Sequence, residues 1–223
     1  MPLRLKLALS YLLIGLIPVL AMAFVVYQQA SEALRVQTLN ALEAVANIKQ
    51  QQLLDNWQER HNQISTLASN LSNSYDGLDT NALLSSSNYD RPIFENFIAT
   101  FGYRELKLVL PDGTVMFSLR RGDDYQNNLG SQALRNTPLA QLVKQSAEQR
   151  QILISDLLYN ELSQAPTQYL AAPIGSDDEL QMTLVLELPI APLNAVMQTR
   201  QGLGEQGETY LVGSDSRLRS DSV

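Results

Sequence analysis

Five polar side chains carry the types a small-molecule site needs: Arg121, Tyr125, Asp156, Tyr159 and Tyr169. A guanidinium can grip a carboxylate through two parallel hydrogen bonds, an aspartate can hold an ammonium, and tyrosines supply flat walls and hydroxyls. Each also has a plainer use, as a surface charge (Arg121, Asp156) or as an aromatic at a core edge. Catalysis lacks its parts. The chain has no cysteine and a single histidine, His61, so neither thiolate chemistry nor a Ser-His-Asp triad is expected. Between Arg60 and Asn62, His61 reads as a solvated helix position. The pairs Asp123-Asp124 and Asp177-Asp178 read as solvated turn residues rather than a Ca²⁺ site. No catalytic residue, metal or cofactor is expected.

Gly202-Leu203-Gly204-Glu205-Gln206-Gly207 satisfies the dinucleotide fingerprint G-x-G-x-x-G. That fingerprint works only with a strand before it and a helix opening after it, so that the helix N-terminus holds the pyrophosphate. Here a helical pattern precedes and a strand pattern follows. The stretch reads as a flexible joint.

The elements that must position these residues begin with a membrane segment. Leu7 to Tyr27 is free of charge and spans about 31 Å as a helix, close to the hydrocarbon thickness of a bilayer. Pro18 inside it is tolerated in membrane spans. Arg4 and Lys6 precede it, and no basic residue follows until Arg35. The positive-inside bias puts residues 1–6 in the cytoplasm, a transmembrane helix at 7–27 and the bulk of the chain outside. The competing reading is a signal peptide cut after Ala21-Met22-Ala23, but Phe24-Val25-Val26-Tyr27 prolong the apolar run past that cut. Without Arg4 and Lys6, the 16 basic residues fall to 14 against 23 acidic ones, a charge near −9. Such a surface argues against nucleic acid as a partner.

Residues 28–71 lack Gly and Pro and read as a long stalk helix. Leu53, Trp57, Ile64, Leu67 and Leu71 form a 4-3 stripe interrupted by Arg60. A second stripe, Leu34, Ala41, Val45 and Ile48, is out of phase by one residue. Either a partner copy in a homodimer or the chain's own domain would cover such stripes. Residues 72–92 read as a polar loop with one helical turn at Thr80–Leu84, followed by a helix from Ile93 to Phe101.

Beyond this the period changes to two. Leu106, Leu108 and Leu110, the turn Pro111-Asp112-Gly113, then Val115, Phe117 and Leu119 make a β-hairpin. Thr137-Pro138 opens a helix to about Gln149. Ile152–Leu157 reads as a strand, Tyr169–Ile174 and Leu180–Leu188 as a second hairpin, and Pro192 starts a short helix to about Arg200. The expected fold is α+β, a PAS-like antiparallel sheet of about five strands with flanking helices. One sheet face, carrying Leu106, Phe117, Leu184 and Leu186, should be buried. A third hairpin, Glu208–Gly213 with Arg217–Ser220, repeats the first at an offset of 103 residues (Leu108/Leu211, Val109/Val212, Asp112/Asp215). It reads as the start of a second copy of the module, truncated or docked on the first.

Residues 201–222, QGLGEQGETYLVGSDSRLRSDS, resemble the junction between the two modules of bacterial double-Cache sensor domains of methyl-accepting chemotaxis proteins and related receptors. Leu42 to Trp57, with EAVANIK at its start (43–49), resembles the family's stalk helix, DYQNNL at 124–129 its turn, and LELPI at 186–190 with NAVMQ at 194–198 the end of its membrane-distal module. The resemblance implies a distal module over 72–200 and the beginning of a proximal one over 201–223. It implies an extracytoplasmic sensor of an unknown small molecule, in the bacterial inner membrane. A chemoreceptor is the first expectation and a histidine kinase or nucleotide cyclase the alternative; an exported enzyme or adhesin is more distant. The Arg-x-Trp-Tyr run of many amino-acid-binding members is absent, since the sole tryptophan is Trp57.

Overall fold

A computed structural model describes residues 3–160, 165–176, 179–204 and 207–221. The chain divides into two compact units, residues 1–50 with 200–207 and residues 51–199 with 208–223.

The first unit is built on helix α1, Leu3–Tyr75, which supplies its residues up to Gln50 and contains a stretch long and apolar enough to cross a membrane. Tyr11, Leu12, Ile14, Ile17, Leu20, Phe24 and Tyr27 are among its exposed large apolar side chains. Leu34, Val36, Leu39, Leu42 and Ile48 are exposed as well. Lys49 is buried, and desolvation lowers the pKa of its ammonium.

The second unit is an α+β layer structure. Its order is α1 from Gln51, α2 (Thr80–Tyr89), α3 (Arg91–Phe101), β1 (Glu105–Val109), β2 (Val115–Ser118), α4 (Pro138–Gln149), β3 (Leu153–Ile154), β4 (Leu158–Asn160), β5 (Ala165–Gly175), β6 (Leu180–Leu188) and α5 (Ala191–Gln198). The strands form a six-stranded antiparallel sheet in the order β2-β1-β6-β5-β3, with β4 added to β5.

Local chemistry accounts for most boundaries. Thr137 caps α4 by accepting from the Ala140 amide at 3.2 Å, and Pro138 starts it with its φ already helical. The hairpin turn closes through Leu110 N–H to the Thr114 carbonyl, and Gly113 takes φ +90°. Asp112 accepts from the Thr114 amide at 2.8 Å. The third hairpin repeats these bonds 103 residues later. Gly213 N–H donates to the Arg217 carbonyl, Ser216 N–H to the Gly213 carbonyl, and Asp215 accepts from the Arg217 amide at 3.1 Å. A single bridge, Val212 to Leu218, joins its arms.

Three expectations are corrected. Residues 72–92 are not a loop: α1 runs on to Tyr75, and α2 fills 80–89. Asp79 caps α2 through the Ala82 amide at 2.8 Å, and the Tyr75 hydroxyl donates to Asp90 between α2 and α3 at 2.8 Å. Of the strand expected at 152–157 only β3, Leu153–Ile154, is extended, and β4 begins after it at Leu158. The sheet is buried on both faces, not one. Ile64, Leu67, Leu71, Phe94, Leu106, Phe117, Leu184 and Leu186 form one core with α1, α2 and α3. Val109, Val115, Leu139, Leu142, Val143, Ala171 and Val185 form a second beneath α4. Ile64, Leu67 and Leu71 therefore pack on the chain's own sheet. Arg60 is no seam defect either: it donates to the Phe101 carbonyl at 2.8 Å and lies 4.7 Å from the Tyr103 ring centroid. His61 is half-buried, edge-on to Trp57 at 6.3 Å.

Candidate functional site

On the α4 side of the sheet the apolar core gives way, at one end, to charge. β1 places Glu105 and Lys107 on this face, because Leu106 and Leu108 occupy the other. The register aligns Glu105, Glu187 and Tyr169 across β1, β6 and β5. Above them run residues 120–124, then Leu129, Leu134, Thr137 and Leu139. A cavity of about 260 Å³ lies between, and Arg104 and Arg120 also line it.

The covering loop is tied down along its length. Val115 N–H donates to the Asn127 carbonyl, Gln126 N–H to the Val115 carbonyl, and Leu129 N–H to the Gly113 carbonyl. Asn128 donates to the Asp112 carbonyl at 2.8 Å, and its own side-chain oxygen accepts from Gly130 N–H at 2.7 Å. These bonds give the Asp124–Leu129 turn a structural reason for its asparagines.

Three buried charges are fully engaged. The Lys107 ammonium lies 2.6 Å from both oxygens of Asp124, and the two residues are 5% and 7% exposed. Asp124 is thus not a solvated turn residue. It anchors the loop to β1. Glu105 accepts from the Leu119 amide at 2.9 Å, from the Arg120 amide, and from the Ser118 hydroxyl at 3.2 Å, which stitches the start of β1 to the end of β2. Glu187 is less satisfied. Arg104 lies 3.6 Å away with a largely wet side chain. Burial pushes the Glu187 carboxyl above its ordinary pKa, against the pull of Arg104 and Lys107. For an acid raised by folding, the cost of ionisation is absent below the unfolded pKa and complete above the folded one. The contribution of Glu187 to stability therefore falls as pH rises through that interval. Glu187→Gln is expected to be more stable than the parent at neutral pH and to lose that advantage near pH ~4. Paired thermal melts across this range check it, and a constant difference between the two proteins would count against a raised Glu187.

Among the five residues singled out from sequence, only Tyr169 lines this cavity, buried at 3% exposure. Arg121 is exposed on the covering loop, with its guanidinium 5.5 Å from the Tyr125 ring centroid. Asp156 and Tyr159 lie elsewhere. Asp156 pairs with Arg219, which holds its carboxyl below the usual range, and Tyr159 lines a shallower cleft against residues 217–221. Sequence reading missed Arg104, Glu105, Lys107, Arg120 and Glu187. The Asp177-Asp178 pair lies outside the described residues. So do Glu205 and Gln206 of the glycine joint. α5 precedes that joint, and no helix follows it among the described residues.

With Lys107 taken up by Asp124, the charges the cavity lining offers are the Arg104 and Arg120 guanidinium groups and the Asp123 and Glu187 carboxylates. Such a pocket can hold a small polar molecule bearing both charges. No protein family matches the chain, and no curated protein does. Solved structures do. The ligand-binding domain of the Campylobacter jejuni chemoreceptor Tlp3, in complex with 4-methylisoleucine, superposes with a TM-score of 0.64 at 12% identity, covering 82% of this chain and 69% of that one. The ligand-binding domain of the Pseudomonas aeruginosa amino acid chemoreceptor PctC, in complex with GABA, gives 0.57 at 12% identity, covering 82% and 75%. The sensor domain of the V. cholerae histidine kinase DctB gives 0.52 at 14% identity, covering 73% and 60%.

The chain has the fold of these sensor domains. The resemblance carried by the junction and turn motifs agrees with it. In this sensor fold the cavity sits under the loop that follows the first hairpin, on the sheet face shared with α4.

Proposed function

We propose that the chain is the ligand-sensing part of a bacterial inner-membrane receptor. Residues 7–27 form its span, residues 1–6 lie in the cytoplasm, and the sheet unit lies in the periplasm. The cavity between β1, β6 and the 120–139 segment takes a small molecule carrying both an amine and an acid. The observation behind this is the mixed-charge lining, Arg104 and Arg120 together with Asp123 and Glu187, in a fold otherwise packed with apolar side chains. The likeness to Tlp3 and PctC supports chemotaxis as the output. The likeness to DctB supports a histidine kinase as the second reading.

The test is a thermal-shift and calorimetric screen of the full chain in lipid nanodiscs. α-Amino acids, ω-amino acids, dicarboxylates and neutral sugars serve as probes. The zwitterionic amino acids should raise the midpoint, and Arg120→Ala or Asp123→Ala should weaken that shift. A sugar or dicarboxylate binding alone, or binding indifferent to both substitutions, would overturn the ligand class.

A second copy of the chain is the proposed partner of α1 between Leu34 and Ile48. The exposed apolar residues there support this, and a membrane would hold two copies at high effective concentration. The chain has no cysteine, so single cysteines report cleanly. Disulfide trapping in membranes should peak at 34, 41, 45 and 48 and fail at 64, 67 and 71, which the sheet already covers. Equal trapping at every position would defeat the pairing.

A further inference from the structure

A buried arginine ties residues 208–221 to the segment after β3 through an ion pair. Arg219 is 7% exposed. Its Nε donates to Asp156 Oδ1 at 2.8 Å and its Nη2 to Asp156 Oδ2 at 2.5 Å, the forked geometry that only arginine provides. Nη2 also reaches Asp215 at 2.9 Å, and Nη1 reaches the Arg217 carbonyl at 3.2 Å. The fork lies against Gly213, where an added Cβ would come within 2.5 Å of the guanidinium carbon. Supporting bonds run to α5: Asn194 donates to Asp221 at 2.6 Å and accepts from its amide at 3.2 Å, and the Thr209 hydroxyl donates to the Met197 carbonyl at 2.7 Å.

The other side of this clasp leads to the cavity. Asp156 follows Ser155 directly. Ser155 N–H donates to the Tyr169 carbonyl at 2.8 Å, and Tyr169 N–H donates to the Ser155 hydroxyl at 2.9 Å. Gln168 adds a bond to the Ser155 carbonyl at 3.1 Å. Tyr169 is a cavity wall. These bonds pass any shift of the Tyr169 backbone on to the backbone that carries Asp156. The hairpin itself is short: one bridge joins its arms, Arg219 N–H donates to the Leu211 carbonyl at 2.7 Å, and Leu211 N–H donates to the Ser220 hydroxyl at 3.0 Å.

We propose that the Asp156–Arg219 pair is a releasable clasp coupling the occupancy of the cavity to the docking of residues 208–221. The two states are hairpin docked and hairpin released. Occupancy biases between them through Tyr169 and Ser155, and by linkage the clasp sets the cavity's affinity in return. The proposal rests on the cavity being a ligand site, but its test does not need the natural ligand.

The experiment is hydrogen–deuterium exchange on the full chain in nanodiscs, read on peptides covering 208–221 and 153–172. Asp156→Asn should speed exchange in 208–221 about tenfold or more, as expected for losing a charge-assisted pair. Arg219→Lys keeps the charge but loses the fork and should do so by less. Gly213→Ala displaces the guanidinium without touching either charge and should also speed exchange. Occupancy is mimicked by Asp123→Cys labelled with benzyl methanethiosulfonate. The label should change exchange of 208–221 several-fold when Asp156 is present and leave it unchanged in the Asp156→Asn background. Two results overturn the proposal. One is unaltered exchange of 208–221 in Asp156→Asn and Gly213→Ala, which would mean no clasp. The other is a hairpin released by those substitutions yet deaf to the label, which would mean a clasp without coupling. A ligand screen that fails while the label still moves the hairpin would instead remove the proposed ligand class and keep the clasp.

Discussion

Asp124→Ala is expected to lower the unfolding free energy by about 3–5 kcal/mol, because it strands the Lys107 ammonium under the covering loop. Both partners are nearly inaccessible, and the ammonium sits 2.6 Å from each carboxylate oxygen. In that setting the pair is not itself a large source of stability. Desolvating two ions consumes most of what their attraction returns. The cost appears when one ion is left alone. Asp124→Asn should cost less, since an amide oxygen still accepts one bond. The double change Lys107→Met/Asp124→Leu should recover most of the loss by filling the same volume with apolar atoms. Denaturant titrations of the full chain in micelles can follow Trp57, the single tryptophan, which packs against the sheet core. A loss under about 1 kcal/mol for Asp124→Ala would show a surface pair rather than a buried one. The single substitution should also loosen residues 120–129. It tests at once whether the loop over the cavity depends on this anchor.

That anchor was out of reach of a reading by period. In β1 the leucines at 106 and 108 alternate with Glu105 and Lys107, the usual signature of a strand with one dry and one wet face. Val109 and Val185 carried the contrary signal. They lie out of phase with the leucines and would be wasted on a wet face, and in the fold they meet α4. Once both faces are known to be covered, a lysine and a glutamate in mid-strand must find partners. Which partners depends on the register that brings Glu187 and Tyr169 beside Glu105, and on a loop returning Asp124 over Lys107. Neither is written in local sequence.

Other elements were legible because their cause is local. Thr137-Pro138 needs only its own capping geometry, and Pro111-Asp112-Gly113 only its own turn. The segment 80–89 went the other way. Its serines and asparagines compete for backbone hydrogen bonds and suggest a loop. It is helical because Asp79 caps it and because Leu83, with the partly buried Leu84, packs on the α1 side of the sheet. The stalk stripe was legible as a stripe, but its period could not say what covers it. Ile64, Leu67 and Leu71 meet the sheet, which leaves only the upper stripe for a partner.

Phe117→Ala is expected to cost about 3–5 kcal/mol, the range for truncating a fully buried aromatic. The ring is 1% exposed on β2, at the edge of the sheet, where few neighbours can move in to fill the space. It meets Phe94 of α3 edge-on at 5.4 Å and 65°, an arrangement that adds to simple burial. Above it lies the Arg91 guanidinium, 5.1 Å from the ring centroid, held there by donation to the Leu119 carbonyl at 2.8 Å. Truncation therefore removes the contact surface of α3 and one wall of the Arg91 site together. Phe117→Leu keeps most of the volume and should cost about 1–2 kcal/mol, the difference reporting the cavity and the ring contacts. The same titration reads both variants, with an unchanged denaturant slope as the sign that the folded and unfolded ensembles are otherwise alike. β2 leads straight into the covering loop, and Glu105 binds the amides that follow it. Loss of Phe117 should thus reach the cavity proposed to take the ligand from the opposite face of the sheet, weakening any binding there as well as stability. Full retention of ligand affinity in a Phe117→Ala protein destabilised by several kcal/mol would show that the loop is positioned by Lys107–Asp124 and Glu105 alone, independent of the core beneath them.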